Sequence, residues 1–340
     1  MKAESQDIFI EAARPDVSIV VPFFNEEETI ETLCDRIAAS LDAEQVSFEI
    51  ILVDDGSSDS GPDVAKRLAE ERDDCVLLGF RRNFGKAAAL SAGFKHASGK
   101  VLITMDADLQ DDPAELPRFL EQIEAGADVV CGWKEVRHDP LGKTMPSRLF
   151  NAVVNRVFGL KIQDHNCGFK AYRREAVEDA NLYGELHRFI PALLHARGYR
   201  LAELPVQHHP REHGQSKYGW SRLIKGALDL MTVALTTRYG ARPLHLFGGG
   251  GLLLGMIGGA ILTYLTVLWA IGAGPIGDRP LLFLGMLLVL AGGQMIGIGL
   301  LAELILARSI REDDKYDIST IVGSRAAERR AERAKRISVS

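Results

Sequence analysis

Read for its apolar and polar positions, the chain changes character twice. Over residues 17–132 short apolar runs alternate with longer amphipathic ones. The runs 17–22, 48–53, 76–79, 101–105 and 128–131 are short and partly β-branched or aromatic, which predicts parallel strands buried on both faces. Between them, 27–41, 62–70, 86–96 and 113–124 have helical spacing, and Pro62 and Pro113 suit a first helical turn. Strand–helix alternation predicts an α/β doubly wound sheet, which binds ligands at the carboxyl ends of its strands.

The pattern then changes. In 146–160, Leu149, Phe150, Val153, Val154, Val157 and Phe158 crowd one side, opposite Arg148, Asn151 and Asn155. In 220–236, Arg222, Lys225, Asp229, Thr232 and Thr236 make a polar stripe at helical spacing on an otherwise apolar segment. A pair of core-facing surface helices would look the same. Because the second segment runs into a long apolar stretch, both are read as helices lying in a membrane interface.

Leu246 to Pro275 and Leu281 to Ala302 contain no charged residue. About 20 apolar residues cross a bilayer core, so a transmembrane hairpin is expected, with spans at about 246–272 and 281–304. Gly274, Pro275, Gly277, Asp278 and Pro280 supply the turn. Arg238 and Arg242 precede the hairpin, and Arg308, Arg311 and Lys315 follow it. Positive charge on both flanks places the N-terminal domain and the tail in the cytoplasm. The expected organisation is an extension (1–15), a soluble domain (16–219), an interface helix (220–243), the hairpin (244–307) and a basic tail (308–340). Glycines at 248–251, 255, 258, 259, 292 and 293 permit close helix packing, within the chain or in a homo-oligomer.

Charge and cysteine content narrow the field without deciding it. A formal net charge of −6 argues against a generic polyanion binder, so no nucleic-acid partner is expected. Cys34, Cys75, Cys131 and Cys167 are far apart with no metal-finger spacing, and read as reduced thiols in a cytosolic domain. The polar N-terminus lacks the apolar run of a signal peptide.

The candidate chemistry lies at three successive strand ends. Asp106-Ala107-Asp108-Leu109-Gln110 follows the run 101–105. Two carboxylates one residue apart can hold a hard divalent cation that keeps positions open for substrate phosphates, although an Asp-rich helix start gives the same letters. Asp54-Asp55-Gly56-Ser57-Ser58-Asp59 closes the second run, where carboxylates can accept hydrogen bonds from a base or ribose. Pro22-Phe23-Phe24-Asn25-Glu26-Glu27 closes the first. Arg82-Asn83-Phe84-Gly85-Lys86 invites a phosphate-loop reading that fails, because Gly79 and Gly85 are one residue too far apart and Ala87 stands where Ser or Thr is needed. Lys86 either starts a helix whose amides face a donor or caps it in solvent. His208, His209 and His213 read as surface or phosphate contacts rather than zinc ligands.

In this order and spacing, these motifs resemble glycosyltransferase family 2, in the branch of dolichyl-phosphate mannose synthases and polyprenyl-phosphate glucosyltransferases. The resemblance covers about residues 16–235 and implies a GT-A fold. Position by position it implies a donor site of Pro22, Phe24, Glu26, Val53 and Asp55, and a metal and diphosphate site of Asp106, Ala107, Asp108 and Gln110. The metal, Mg²⁺ or Mn²⁺, is assigned to Asp106, Asp108 and Gln110. Phe24 stands where relatives often have Tyr, so a hydroxyl contact is lost there. Arg211 and Lys217, in Arg211-Glu212-His213-Gly214-Gln215-Ser216-Lys217, match a phosphate-binding pair, with Arg137 or Lys134 as a further contact. Asp106, Asp108, Arg211 and Lys217 are the expected catalytic residues. Asp164, in Asp164-His165-Asn166-Cys167-Gly168-Phe169, is either an active-site wall residue or a structural turn.

The activity implied is inverting transfer of a hexose from a GDP-mannose or UDP-glucose type donor to a polyprenyl or dolichyl phosphate at the bilayer. With a second pKa of about 6, such an acceptor is largely dianionic at neutral pH and needs no general base. Two other readings are a membrane transferase acting on a hydroxyl of a lipid-linked glycan, with Asp164 as its carboxylate, and a non-catalytic membrane scaffold.

Overall fold

The computed structural model describes residues 14–134, 151–177, 186–207, 230–233 and 243–309. The chain divides into two compact units, Met1–Thr237 and Arg238–Ser340.

The first unit is built on a seven-stranded sheet: β1 (Val17–Phe23), β2 (Phe48–Asp54), β3 (Cys75–Gly79), β4 (Val101–Thr104), β5 (Val129–Lys134), β6 (Lys170–Arg173) and β7 (Leu201–Val206). The spatial order is β3-β2-β1-β4-β6-β5-β7. β1 to β4 run parallel, β6 lies antiparallel between β4 and β5, and β7 pairs parallel to β5. The sheet is therefore mixed but mostly parallel, as in the GT-A fold. Edge position explains how β7 tolerates Pro205, which has no amide to give a further strand.

Alternation along the strands makes two cores. Ile19, Val21 and Phe23 of β1 face α1 (Ile30–Ala43), α2 (Gly61–Glu71) and α4 (Leu116–Glu124), packing with Leu33, Ile37, Leu68 and Phe119. Val20, Ile51 and Val53 face the other way, toward α3 (Lys86–His96), helical residues 151–158 (α5), α6 (Arg174–Val177) and α7 (Ile190–Ala196). Leu90, Phe94, Val154, Tyr172 and Phe189 belong to that second core. Burial of strands on both faces gives the continuous apolar runs seen in the sequence.

Element boundaries shift where side chains have other work. α1 starts at Ile30 rather than residue 27, because Asn25 is left-handed (φ 60°) and residues 25–27 bond to the next loop. A 3₁₀ turn, Pro113–Glu115, precedes α4, and the Asp112 carboxylate accepts from the Ala114 amide at 3.0 Å.

Only part of each segment read as an interface helix falls among the described residues. In α5 the asparagines turn inward. Asn151 is 5% exposed and donates to the Gln163 carbonyl at 2.7 Å, while Asn155 brackets Ile162 through its carbonyl and amide at 2.7 and 3.2 Å. Val154 is buried beside them, whereas Val153 is exposed. Of 220–243, only helical residues 230–233 (α8) and Pro243 are described.

The second unit is a helical hairpin of α9 (Pro243–Ala270) and α10 (Pro280–Ser309). Mean hydropathy reaches 2.0 in α9 and 2.2 in α10 up to Ile305. Helices of this length span about 40 Å, more than a ~30 Å hydrocarbon core. Trp269 and Leu290 are 63% and 68% exposed, which suits a lipid-facing side chain better than a soluble core. The chain is a membrane protein with two helices long and apolar enough to cross a bilayer. Glycines let the pair pack within the chain. A Cβ on Gly251 would lie 2.6 Å from the Gly292 carbonyl oxygen, and one on Gly258 would lie 2.7 Å from that of Gly285. Glu303 of α10 accepts from the Leu244 amide in the first turn of α9 at 3.2 Å, satisfying an amide that the helix leaves open.

Candidate active site

The carboxyl ends of β1, β2 and β4 open onto one cleft of about 220 Å³, lined by Pro22, Phe23, Phe24, Glu26, Asp55, Lys86, Asp106, Ala107 and Asp108. Three strand-end clusters separated by up to 86 residues thus meet in space. Val53 and Gln110 are not among the lining residues. Val53 is buried in the second core, and Gln110 donates its amide to Asp108 at 3.3 Å. Arg137, Arg211 and Lys217 lie outside the described residues.

Asp55 sits at the end of β2, 5% exposed, and its carboxylate accepts from the Phe84 and Gly85 amides at 2.7 and 3.0 Å. That pins the loop before α3 to β2. Gly56 makes the approach possible: its φ is +73°, and a Cβ there would lie 2.4 Å from the Arg82 carbonyl carbon. Glu27 accepts from the Ser60 amide at 2.8 Å while Asp59 accepts from the Glu27 amide at 3.1 Å, so the β1 and β2 ends cap each other. Beside the cleft, the Arg82 guanidinium lies 4.2 Å from the Phe84 ring centroid.

Asp106 and Asp108 follow β4, and Leu109 next to them is left-handed (φ 56°). Gly168, just before β6, packs against Asp106. A Cβ there would lie 2.6 Å from Asp106 Oδ2, so a larger residue would push the carboxylate from its place. Thr104 holds the same loop by donating to the Gly168 carbonyl at 2.7 Å. Lys86, the first residue of α3, makes an ion pair with Asp106. Burial alone would lower the Lys86 ammonium, but Asp106, with Asp111 and Asp108 behind it, raises it above the ordinary lysine value.

Asp164 is 3% exposed and accepts from the Asn166 amide at 3.0 Å, the geometry of a turn. Its neighbour His165 is fully buried, with Nε2 2.9 Å from Asn155 Oδ1. That oxygen also accepts from Ile162, so Nε2 carries the proton. Burial, aided by the Lys170 charge, lowers the His165 pKa to about 4.

The donor set suits a hard divalent cation. Asp106 and Asp108 line the cleft with carboxylate oxygens, and Gly168, having no Cβ, can lie against Asp106 without displacing it. Among the described residues no three acidic, histidine or cysteine side chains converge. Two contributors escaped sequence reading, the Lys86–Asp106 pair and the Gly168 wall. A lysine opening a helix opposes the helix dipole and thereby signals a nearby carboxylate.

Comparison with known proteins places the chain in a family. The model of Glycosyl transferase family 2 matches residues 18–180. Dodecaprenyl-phosphate galacturonate synthase of Rhizobium johnstonii is 41% identical over 304 residues, 88% of this chain and 90% of that protein. Undecaprenyl-phosphate 4-deoxy-4-formamido-L-arabinose transferase of Pseudomonas syringae pv. syringae is 39% identical over 91% of each chain. Glucosyl-3-phosphoglycerate synthase from Mycobacterium tuberculosis, in complex with Mn²⁺, UDP-glucose and phosphoglyceric acid, shares the fold at 20% identity, with a TM-score of 0.50 over 66% of this chain and 80% of that one. Near-full-length identity above 30% settles the membership: this enzyme belongs to glycosyl transferase family 2.

Proposed function

We propose that the enzyme transfers a sugar from a nucleoside diphosphate donor to a polyprenyl phosphate, with inversion at the anomeric carbon. The observation that carries this reading is the convergence of Asp106 and Asp108 with Asp55 and Lys86 on one cleft at the carboxyl edge of the sheet. Similarity to two polyprenyl-phosphate sugar transferases along nine-tenths of the chain supports the acceptor class. Their sugars differ, one a uronic acid and one a formamido-pentose, so the hexose expected from the sequence is one of several donors to test.

In this reading Pro22, Phe24, Glu26 and Asp55 bind the nucleoside, with Val53 behind them. Asp106, Asp108 and Gln110 form the metal and diphosphate side, and Ala107 keeps the floor small. Bound Mg²⁺ or Mn²⁺ would offset the charge that develops on the diphosphate as the glycosyl bond breaks. Arg137, Arg211 and Lys217 hold the acceptor phosphate. One phosphate oxygen attacks the anomeric carbon, the bond to the diphosphate breaks, and the nucleoside diphosphate leaves. Because the attacking oxygen is already anionic, the residues position and screen charge rather than remove a proton.

The test is transfer from radiolabelled UDP-glucose, GDP-mannose and UDP-galacturonate, in separate reactions, to polyprenyl phosphate in detergent with Mg²⁺ or Mn²⁺. Label should enter the organic phase from one donor, vanish with EDTA, and fall at least a hundredfold in Lys217→Ala, with donor binding partly kept. Retained anomeric configuration would overturn the inverting mechanism. Label that appears only with a lipid-linked glycan as acceptor would overturn the phosphate acceptor.

A further inference from the structure

We propose that Lys86 is an exchangeable cation. It pairs with Asp106, and moves to the donor diphosphate when a divalent metal takes Asp106. The inference deepens the donor-site reading above and rests on it.

Four carboxylates line the cleft, from Glu26, Asp55, Asp106 and Asp108, and Lys86 is the only cationic side chain among the described lining residues. Asp55 already receives two amides, whereas Asp106 receives the ammonium. The pair is within reach of an incoming ion, since the Lys86 and Asp106 side chains are 32% and 36% exposed. A metal bound to Asp106 would bring two positive charges against the ammonium at one carboxylate, and like charges at that range repel.

The release has a direction built into it. The residues just before Lys86 are bolted to β2 through Asp55, so the root of the side chain is fixed while its four-carbon stem can swing. A lysine at the first turn of an eleven-residue helix is unfavourable unless an anion neutralises it. In the structure that anion is Asp106. When the donor arrives, the diphosphate meets both the helix amides and the displaced ammonium. Metal and donor then arrive as partners: each makes the other's place by moving Lys86.

Two effects of opposite sign follow for Lys86→Met in the full-length protein in detergent. Free Mn²⁺ measured by electron paramagnetic resonance should show tighter metal binding without nucleotide, by about five- to tenfold. UDP or GDP binding in the presence of Mn²⁺ should weaken by a similar factor. Lys86→Arg keeps the charge and should restore both. If Lys86→Met does not fold, Lys86→Gln carries the same test with the same signs. Mn²⁺ affinity that is unchanged or weaker in the neutral variant would overturn the exchange. Wild-type protein that binds no Mn²⁺, with or without nucleotide, would instead overturn the metal reading beneath it, and Asp106→Asn sets that baseline.

Discussion

The Asp55 carboxylate accepts from the Phe84 and Gly85 amides and so holds the loop before α3. Asp55→Ala leaves both amides without that acceptor. It should lower stability by about 1–3 kcal/mol, a drop of several degrees in thermal unfolding, and raise the donor KM more than it lowers kcat. Gly168→Ala tests the opposite wall, because its methyl would press on Asp106 Oδ2. Mn²⁺ binding and kcat/KM should fall by at least about tenfold, with a smaller loss of stability. His165 gives an acid limit. Its folded pKa of about 4 lies below the ordinary 6.5, so the unfolded chain binds the extra proton first as pH falls. That contribution is complete above pH 6.5 and is lost progressively toward pH 4, with a total on the order of 3 kcal/mol. In unfolding measured across pH 4–7, His165→Gln should flatten the slope.

At the scale of elements, α5 is a brace rather than a plain amphipathic helix. Asn155 alone bonds to both backbone groups of Ile162 and to His165, on the loop that runs on to Asp164 and Gly168. Asn155→Ala should cost about 2–3 kcal/mol, read as a lower unfolding midpoint, and should weaken donor turnover through the loop. Elements differed in how far the sequence disclosed them. Strands β1, β2 and β4 were legible because both faces are largely buried, which leaves apolar, β-branched runs. In contrast β3, at the sheet edge with Val76 exposed, was legible by its short apolar run alone. β6 was not: Lys170-Ala171-Tyr172-Arg173 looks polar, and it is a strand only because β4 and β5 flank it. The buried Lys170 ammonium is satisfied by the carbonyls of His165 and Cys167, which no local pattern announces. The same holds at the site. Acidic strand ends were visible locally, whereas the approach of Lys86 and Gly168 to Asp106 joins residues 20 and 62 positions away and exists only once the sheet has formed.

For the whole molecule, the charge on both flanks of the hairpin predicts that only the turn between α9 and α10 faces away from the cytoplasm. All four native cysteines are buried, so engineered thiols can report without much background. In inverted vesicles a membrane-impermeant maleimide should label Ser340→Cys and spare Asp278→Cys, and intact cells should give the reverse. Labelling of both from one side would show that the apolar pair does not cross. The sheet order also sets a timetable for biosynthesis. β6 is made 65 residues after β4 ends, yet it must insert beside it. At about 5–20 residues per second, a ribosome leaves that edge of β4 bare for roughly 3–13 s. A bare strand edge is where nascent chains stick to one another. β7 closes the sheet at Val206, and 36 residues separate it from Pro243, where the first apolar helix begins. The sheet therefore has roughly 2–7 s to close before the first apolar helix starts to be made. Slow codons or chaperone capture between β4 and β6 should then govern yield more strongly than anything in the hairpin.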